Sequence, residues 1–398
     1  MSKLISRQDQ AFADWLLDDS PATLASYTGA EQGFNQAADV VRAADGTDLS
    51  QFWQEVLDTI QMRNENRNTL LDELTTDISG ISEVINPPTE VEFEEASEFG
   101  QPVGMKATST RFFRGYDFKF YDLAVRYTWM FIAEADQGQL RLNHNVALEA
   151  DLKIRFRKVM QRLFNPLNSV GGGFTEKNEP VTVFAAYNGD GEVPPAYEHS
   201  TFLGSHNHYT TSGAAAIRPQ DLDALALNIQ EHGYTLAKGY RLIVLLNRQE
   251  AAIVKTFRVL TGAAYDFVPN PALQNGAVWV PNNGSYVGGP TGTVRGQIGT
   301  YGPFHVVEEG YIPAGYAVGI VTGGPGNLGN PVGFRQHSNP AYRGLKIIPG
   351  QRSDYPLLDS FYRRGFGTGI RHRGGLAIMQ ITANPTYTVP AAFDASIG

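Results

Sequence analysis

The stretch that decides the fold of this chain is residues 145–166, NVALEADLKIRFRKVMQRLFNP. A helix places residues three or four apart on one face, and the apolar side chains follow that spacing at Leu148, Leu152, Phe156, Val159 and Leu163. Acidic residues come early and basic residues late, in the order that the helix dipole favours, and the Asn-Pro pair at its end stops the pattern. We therefore predict a long amphipathic helix over residues 145–165.

The chain beyond this helix mixes helices with strands. After a loop-rich span at 166–212, Pro219 can begin a second helix, and residues 241–246, RLIVLL, are typical of a buried strand. Residues 270–300 are rich in Gly, Pro and Asn and predict a loop, whereas 304–381 predicts short strands separated by glycine turns. The fold class is therefore α+β.

Before the long helix, the period of the apolar residues changes to two. The sequence NPP at 86–88 marks a boundary, because proline neither continues a helix nor donates to a strand ladder. Apolar residues then alternate in stretches from Val91 to Phe131, with a change of phase at 121–122 that requires a bulge or bend. We predict a long two-stranded hairpin over 86–135. Since a lone hairpin is marginally stable, we expect it to lie on another surface.

Residues 1–85 are typical of a helical arm. Asp48 can cap a helix whose apolar side chains include Phe52, Val56 and Ile60. Residues 1–100 contain 5 Lys or Arg against 20 Asp or Glu, whereas the rest of the chain contains 27 against 21. This asymmetry indicates an acidic arm lying on other subunits, and a solvated helical face explains it equally well.

Composition excludes several classes of protein. The 398 residues include no Cys, so disulfides, thiolate metal sites and a cysteine nucleophile are excluded. The first residues lack the apolar core of a signal peptide, and we expect a soluble protein made in a cytosol. Gly is abundant at 42 residues and charged residues make up only 18%. A surface so poor in charge indicates coverage by neighbouring molecules.

The sequence contains few signals for catalysis or cofactor binding. No Gly-Lys pair exists to form a phosphate-binding loop of the Walker type, and the glycine run at 365–369 lacks the context of a dinucleotide site. His206 and His208, with His199 nearby, could hold a metal, but the local sequence offers no carboxylate to complete the shell. We interpret them as surface or interface histidines and predict no catalytic, cofactor-binding or metal-binding residue.

The closing segment contains the most specific motifs of the chain. They are Val332-Gly333-Phe334-Arg335, Gly344-Leu345, Tyr355-Pro356-Leu357-Leu358-Asp359-Ser360, Arg364-Gly365-Phe366-Gly367-Thr368-Gly369, Arg373 and Gln380-Ile381. Together with the order of elements, this segment resembles the Hong Kong 97-type major capsid proteins of tailed double-stranded DNA bacteriophages, those of actinobacterial phages above all. The resemblance covers roughly residues 50–385.

The resemblance implies a division of the chain into named parts. These are an N-terminal arm (1–85), an extended loop formed by a β-hairpin (86–135), a peripheral domain (136–212) with its spine helix (145–165), an axial domain (213–330) and a return to the peripheral domain (331–398).

The implied function is structural: copies would form pentamers and hexamers of an icosahedral shell around a double-stranded DNA genome, with each extended loop lying across a neighbour. The expected intersubunit contacts are basic residues of the loop and the spine helix, namely Lys106, Arg111, Arg114, Lys153, Arg155, Arg157, Lys158 and Arg162. Those on the helix could alternatively form a stripe that binds DNA phosphates.

The resemblance also implies partners and a location. We expect the protein to be located in the virion capsid and to assemble in the cytoplasm of a bacterial host. The expected partners are packaged DNA, contacted without sequence specificity, a portal protein, and possible scaffold and decoration proteins, with a separate scaffold protein or none. We expect no contact with a membrane. A nanocompartment shell of the encapsulin type is the first alternative. A β-rich cytosolic hydrolase or a sugar-binding module is the second.

Some members of this family join a loop lysine to an asparagine of a neighbour. In this chain Lys106 would be the donor and Asn339 or Asn384 the acceptor, but no Glu follows Glu309 to accept the proton. We expect no covalent cross-link.

Overall fold

The fold is known from a computed structural model, which describes residues 43–46, 49–65, 70–85, 112–170, 181–198, 200–270, 294, 296–349 and 357–394. Within these ranges no helix is both long and apolar enough to cross a membrane. The expected cap Asp48, Lys106 and Arg111 of the extended loop, and His199 lie outside the described residues.

The α-helices of the described ranges are, in chain order, α1 (Leu49–Glu65), α2 (Leu70–Leu74), α3 (Trp129–Glu134), α4 (Gln137–Phe164), α5 (Pro219–Gln230) and α6 (Arg248–Val254). The strands of the same ranges are β1 (Thr75–Ile78), β2 (Ser82–Ile85), β3 (Phe112–Gly115), β4 (Lys119–Thr128), β5 (Ser169–Val170), β6 (Thr182–Val183), β7 (Tyr209–Thr211), β8 (Arg241–Leu246), β9 (Val268–Pro269), β10 (Gln297–Tyr301), β11 (Phe304–Glu308), β12 (Tyr316–Thr322), β13 (Val332–Gln336), β14 (Leu345–Pro349), β15 (Leu357–Ile370) and β16 (Leu376–Gln380).

The chain divides into two compact units. The larger comprises Asn64–Tyr121, Ala150–Lys346 and Arg363–Gly398, and the smaller comprises Met1–Arg63, Asp122–Glu149 and Ile347–Tyr362. The first half of α4 therefore belongs to the smaller unit and its second half to the larger one.

A seven-stranded sheet with the order β7-β16-β12-β8-β11-β10-β9 forms the centre of the larger unit. Its strand β8 is parallel to β11 and antiparallel to β12. Ile243 and Leu245 pack in one apolar cluster with the second half of α4, whereas Leu242, Val244 and Leu246 pack in another with α5 and α6. Because β8 is buried on both faces, its sequence is an unbroken apolar run, and the predicted buried strand is confirmed.

Helix α5 begins at Pro219, as predicted. The Asp221 carboxylate accepts a hydrogen bond from the backbone N–H of Arg218 at 2.7 Å and so closes the first turn. A Cβ on Gly319 of β12 would lie 3.0 Å from Leu225 and from Ile229 of the helix. Glycine at this position therefore lets α5 approach the sheet closely.

A five-stranded sheet has the order β1-β13-β15-β14, with β4 also paired to β15. Strand β1 runs parallel to β13, and β13 runs antiparallel to β15. A Cβ on Gly367 would fall 1.5 Å from the carbonyl oxygen of Asp117, and one on Gly333 would fall 2.3 Å from the ring of Tyr116. The alternating glycines of the closing segment thus leave room for the chain around residues 116–118.

The long helix is confirmed, but it begins at Gln137 and not at Asn145. The side chain of Asp136 accepts a hydrogen bond from the backbone N–H of Gln139 at 2.8 Å and caps this earlier start. The helix ends at Phe164, immediately before the Asn-Pro pair, as predicted.

The predicted hairpin differs from the structure in its bounds and in its pairing, because residues 119–128, which form β4, pair with β15. Its base is the antiparallel pair of β2 and β3, so pairing begins at Ser82, before the NPP boundary. Strand β4 ends at Thr128, not Phe131, because the Thr128 hydroxyl accepts from the backbone N–H of Phe131 at 3.2 Å and caps α3. The break in the strand falls at 116–118 and not at 121–122.

Several strands were not expected. The helical reading of residues 1–85 is wrong for β1 and β2. Strands β5, β6 and β7 lie in the span predicted as loop-rich, and β10 begins within the second predicted loop. The boundaries of the arm, loop, peripheral and axial parts remain predictions.

The first prediction concerns the glycine that packs most closely. We expect Gly367→Ala to destabilise the subunit by about 3 kcal/mol or more, because the added methyl group overlaps a backbone oxygen that cannot move alone. Thermal unfolding of the purified subunit measures this loss. The control is Gly310→Ala, where an added Cβ meets no atom within 4 Å; equal melting temperatures for the two variants would contradict the packing argument.

Candidate assembly site

We call β2, β3 and residues 116–118 the loop base, because β2 ends at Ile85 and β3 begins at Phe112, on either side of residues 86–111. Antiparallel pairing aligns Ser82 with Gly115 and Ile85 with Phe112. Arg114 is buried, whereas Val84 and Phe113, which are paired across the two strands, are 47% and 64% exposed. One face of the loop base therefore holds the body and the other presents apolar side chains outward.

Arg114 attaches β3 to a neighbouring loop. Its Nη1 and Nη2 donate to the two carboxylate oxygens of Glu192 at 3.0 and 2.5 Å, a bidentate pair. The guanidinium carbon also lies 4.9 Å from the ring centre of Phe112 and 4.7 Å from that of Phe184. Both terminal nitrogens of this arginine are therefore engaged within its own subunit.

Asp117 connects the loop base to both the long helix and the long strand. Its Oδ2 accepts from Nη2 of Arg162 on α4 at 3.1 Å, and its Oδ1 accepts from the backbone N–H of Thr368 on β15 at 2.5 Å. Arg162 is 1% exposed and donates a further bond to the Ser169 hydroxyl at 3.2 Å. Three elements distant in sequence thus meet at one carboxylate.

Tyr116 fills the space between Asp117 and the sheet. It is fully buried, and burial raises the pKa of its phenol above the usual value, so the group is neutral. Arg335 of β13 donates to the carbonyl oxygen of Tyr116 at 3.4 Å and lies over the ring of Phe118 at 5.1 Å.

Arg371 holds the other strand of the loop base. Its Nε donates to Oε1 of Glu83 on β2 at 2.7 Å, and its Nη1 donates to the carbonyl oxygen of Leu328. Both strands that lead into the loop are therefore attached to the body by arginine–carboxylate pairs.

Arg373 organises the loop that supplies Glu192. It is 1% exposed and donates to the carbonyl oxygens of Ala185 and Ala186 at 2.9 Å each and to the Asp190 carboxylate at 2.8 Å. Burial by itself would raise the pKa of Asp190, but hydrogen bonds from Arg373 and Asn168 outweigh it and hold that pKa below its ordinary value. We call Arg114, Arg162, Arg335, Arg371 and Arg373 the arginine framework.

The structure separates the residues predicted as intersubunit contacts. Arg114 and Arg162 are buried in intrachain ion pairs, which corrects the expectation that they face another subunit. Arg155 pairs with Asp151 on the same helix at 3.3 Å. Lys158 lies 5.9 Å from the ring centre of Tyr121, and burial is the main cause of the lowered pKa of its ammonium group.

Two of the predicted contacts on the helix, Lys153 and Arg157, are exposed. They lie one turn apart and so share one face. The acids that pair with the arginine framework come from segments distant in sequence, and their approach to it leaves no local sequence signal.

The described surface contains two apolar features. A groove of about 390 Å³ lies beside the loop base and is lined by residues of β2 and β3 together with Val181, Thr182, Phe184 and Glu192. On α4, within the smaller unit, Leu142 and Val146 are 63% and 57% exposed and lie one turn apart. Patches of this kind mark interaction surfaces.

The interpretation of the histidine pair is wrong for His208. Its side chain is completely buried, and it lies beside His206 and His232 with the Glu231 carboxylate nearby. The carboxylate that the local sequence lacks is supplied by the end of α5.

The chain is similar to solved structures of viral and bacterial shells. It is 38% identical to a chain solved in Mycobacterium phage Patience, with a TM-score of 0.66, over 90% of this chain and 96% of that one. It also matches the capsid of an empty GTA particle (11% identity, 80% and 91% coverage, TM-score 0.46) and the holo-SrpI encapsulin complex of Synechococcus elongatus PCC 7942 (14% identity, 91% and 98% coverage, TM-score 0.44). No family model and no curated protein matches the sequence.

The second prediction tests the junction at Asp117. We expect Arg162→Met to cost about 3 kcal/mol of subunit stability, because it leaves the partly buried Asp117 carboxylate without its counter-charge. Urea denaturation followed by fluorescence measures the loss.

Two further variants interpret that result. Arg162→Met combined with Asp117→Asn should recover part of the stability, since the stranded charge is removed. Arg157→Met, an exposed change on the same helix, should stay within about 0.5 kcal/mol of the wild type. A loss from Arg157→Met as large as that from Arg162→Met would contradict the assigned role.

Proposed function

This chain belongs to the Hong Kong 97-type major capsid proteins of tailed bacteriophages, and from that membership we propose that its copies close into pentamers and hexamers of an icosahedral shell around a double-stranded DNA genome. The observation that carries the proposal is the 38% identity to the phage Patience chain over nearly its full length. Members of the family are structural proteins of the virion capsid, and we propose no catalytic role.

We propose that the extended loop reaches a neighbouring subunit. The loop base is attached to the body by Arg114, Asp117 and Arg371, so a load on the segment 86–111 would be transmitted to α4 and to β15. The exposed pair Val84 and Phe113, with the groove beside it, offers an apolar surface that a second copy can cover.

The exposed face of α4 is the second proposed contact between subunits. Leu142 and Val146 each gain about 1–2 kcal/mol if a neighbour buries them. Farther along the helix, Lys153 and Arg157 are placed to meet acidic groups, and the acidic first 100 residues of another copy supply them.

Contact with the packaged genome is proposed to be weak and independent of sequence. A genome that moves during filling cannot be held by many phosphate contacts. From the family membership we also propose that the shell assembles in the cytoplasm of a bacterial host. Its further proposed partners are a portal protein and a scaffold or decoration protein. The absence of a covalent cross-link also remains a prediction.

A nanocompartment shell of the encapsulin type would share the fold but enclose protein cargo. Nucleic acid within purified particles favours the phage head, and its absence from all particles favours the alternative.

The third prediction tests the role of the extended loop. Because Ile85 and Phe112 are directly paired, residues 86–111 can be replaced by Asn-Gly, which forms a two-residue hairpin turn. The deletion spares Arg114, whose removal would break the base. We expect a folded subunit with an unchanged melting temperature that forms no closed shells by negative-stain electron microscopy, whereas the wild type does. Closed shells of normal size from this variant would refute the proposed reach to a neighbour.

The fourth prediction tests the apolar face of α4. We expect the double substitution Leu142→Gln and Val146→Gln to lower the yield of shells at least tenfold, because the apolar contact of each copy is lost, while the circular dichroism of the subunit is unchanged. Analytical ultracentrifugation measures the ratio of shells to free subunits. Asn145→Gln, exposed on the same helix, is the control and should assemble normally; assembly of the double variant at the level of this control would exclude the face from the interface.

A further inference from the structure

Three histidines in the larger unit point the same ring nitrogen at a common centre. The Nε2 atoms of His206 and His208 are 2.9 Å apart, those of His206 and His232 are 3.0 Å apart, and those of His208 and His232 are 2.9 Å apart. His206 and His208 precede β7, whereas His232 follows α5. The chain thus brings a nearly equilateral triangle of imidazole nitrogens together from two distant segments.

The protonation state of His208 is fixed by its other nitrogen. Its Nδ1 lies 2.5 Å from the carbonyl oxygen of Leu376, an acceptor only, so Nδ1 carries the proton and donates it. Nε2 of His208 therefore presents a lone pair to the centre of the triangle. One N–H···N hydrogen bond between two of the Nε2 atoms satisfies both of them. The third Nε2 atom then has no hydrogen-bond donor within the triangle.

The spacing of the triangle is that of ligands around a metal ion. Nitrogens bound to one divalent transition metal at about 2.0–2.1 Å lie about 2.8–3.4 Å apart, with the shorter value for octahedral angles and the longer for tetrahedral ones. The observed separations lie at the short end of this range. The Oε1 atom of Glu231 is 3.5 Å from Nε2 of His206, and the ligand atoms of all four residues lie within 4.8 Å of one another.

The surroundings keep the imidazoles neutral, the form that binds metals. Burial lowers the pKa of His208 to about 3 and that of His232 to about 2, and it lowers the pKa of His206 as well. Burial also raises the pKa of the Glu231 carboxyl. A cation at the centre would compensate the cost of desolvating that carboxylate.

The rings are held in place by their neighbours. Phe202 stacks on His232 with ring centres 4.4 Å apart. Tyr187 makes edge-to-face contacts with His206 at 5.9 Å and with His208 at 5.5 Å. A Cβ on Gly374 would lie 2.7 Å from Cγ of His232, so glycine is required for the ring to sit where it does. Metal-binding histidines are commonly oriented by a hydrogen bond from the ring nitrogen that does not bind the metal, and the bond from Nδ1 of His208 to the carbonyl oxygen of Leu376 is of this kind.

We propose that His206, His208, His232 and Glu231 bind one Zn²⁺ ion as a structural site. Three imidazoles and one carboxylate are a donor set that zinc takes with tetrahedral geometry, and four protein ligands leave no open position for catalysis. The ion ties the short edge strand β7 to the end of α5, while Leu376 connects the site to β16. This inference does not depend on the proposed assembly.

The site is tested by metal content and by a matched pair of variants. The full-length protein is stripped with EDTA, incubated with excess ZnSO₄, desalted and analysed by mass spectrometry for metals. We expect about one zinc per chain for the wild type, as one complete ligand set predicts, and a melting temperature that rises with added zinc. A zinc content below about a tenth of an equivalent after this treatment would overturn the proposal.

His208→Asn is the decisive variant. The asparagine amide can still donate to Leu376, but it has no atom at the position of Nε2. We expect the affinity for zinc to fall by about 100-fold or more, because loss of a ligand costs at least as much as loss of a residue that only orients a ligand. His337→Asn is the control, because an amide oxygen can replace the Nδ1 that accepts from the backbone of Asn339 at 3.0 Å, and it should bind zinc like the wild type.

A second variant protects the test against misfolding. His206→Gln removes the most accessible ring of the cluster, whose side chain is 17% exposed, and should also weaken zinc binding strongly while the subunit stays folded. Wild-type zinc affinity in a folded His208→Asn or His206→Gln variant would overturn the assigned ligands.

Discussion

The Asp117 carboxylate is the point on which the loop base depends, because this one group joins residues 116–118 to both a helix and a strand. Arg162 approaches from α4 and the backbone N–H of Thr368 from β15. The approach is possible only because Gly367 leaves the space that a side chain would occupy. Removing either partner strands a charge in a poorly hydrated place, which costs far more than a surface pair contributes.

Arginine, and not lysine, suits every position of the framework. A guanidinium can donate in several directions within a plane, so Arg373 satisfies two carbonyl oxygens and a carboxylate at once. Some of the few charged side chains of this protein are therefore buried in its interior. What remains on the described surface includes apolar patches at the loop base and on α4, which is the composition expected of a subunit covered by its neighbours.

Local patterns predicted the elements but not their meeting points. The spacing from Leu148 to Leu163 predicted the long helix, and the apolar run at 241–246 predicted the central strand, because each signal is contained in one element. The start of the helix was missed since its cap, Asp136, precedes the apolar pattern. The residues from Trp129 to Phe131 fit a strand equally well until the Thr128 cap is known. Pairs such as Arg114 with Glu192, and Glu231 with the histidines, join segments that are distant in sequence. The spacing of apolar residues within one element does not predict which distant segments meet.

The burial of the arginine framework has a consequence for the ionic surroundings of the particle. Counter-ions screen exposed charges within about 10 Å at 0.1 M salt, but they screen buried pairs much less. The proposed shell would pass from a crowded host interior to dilute surroundings, with its inner face beside DNA and its counter-ions. Contacts made by Arg162 and Arg373, which are about 1% exposed, keep their strength through such changes in ionic strength, whereas the contacts proposed for exposed Lys153 and Arg157 vary with them. The junctions made by the arginine framework are therefore much less sensitive to salt concentration than the proposed contacts between subunits.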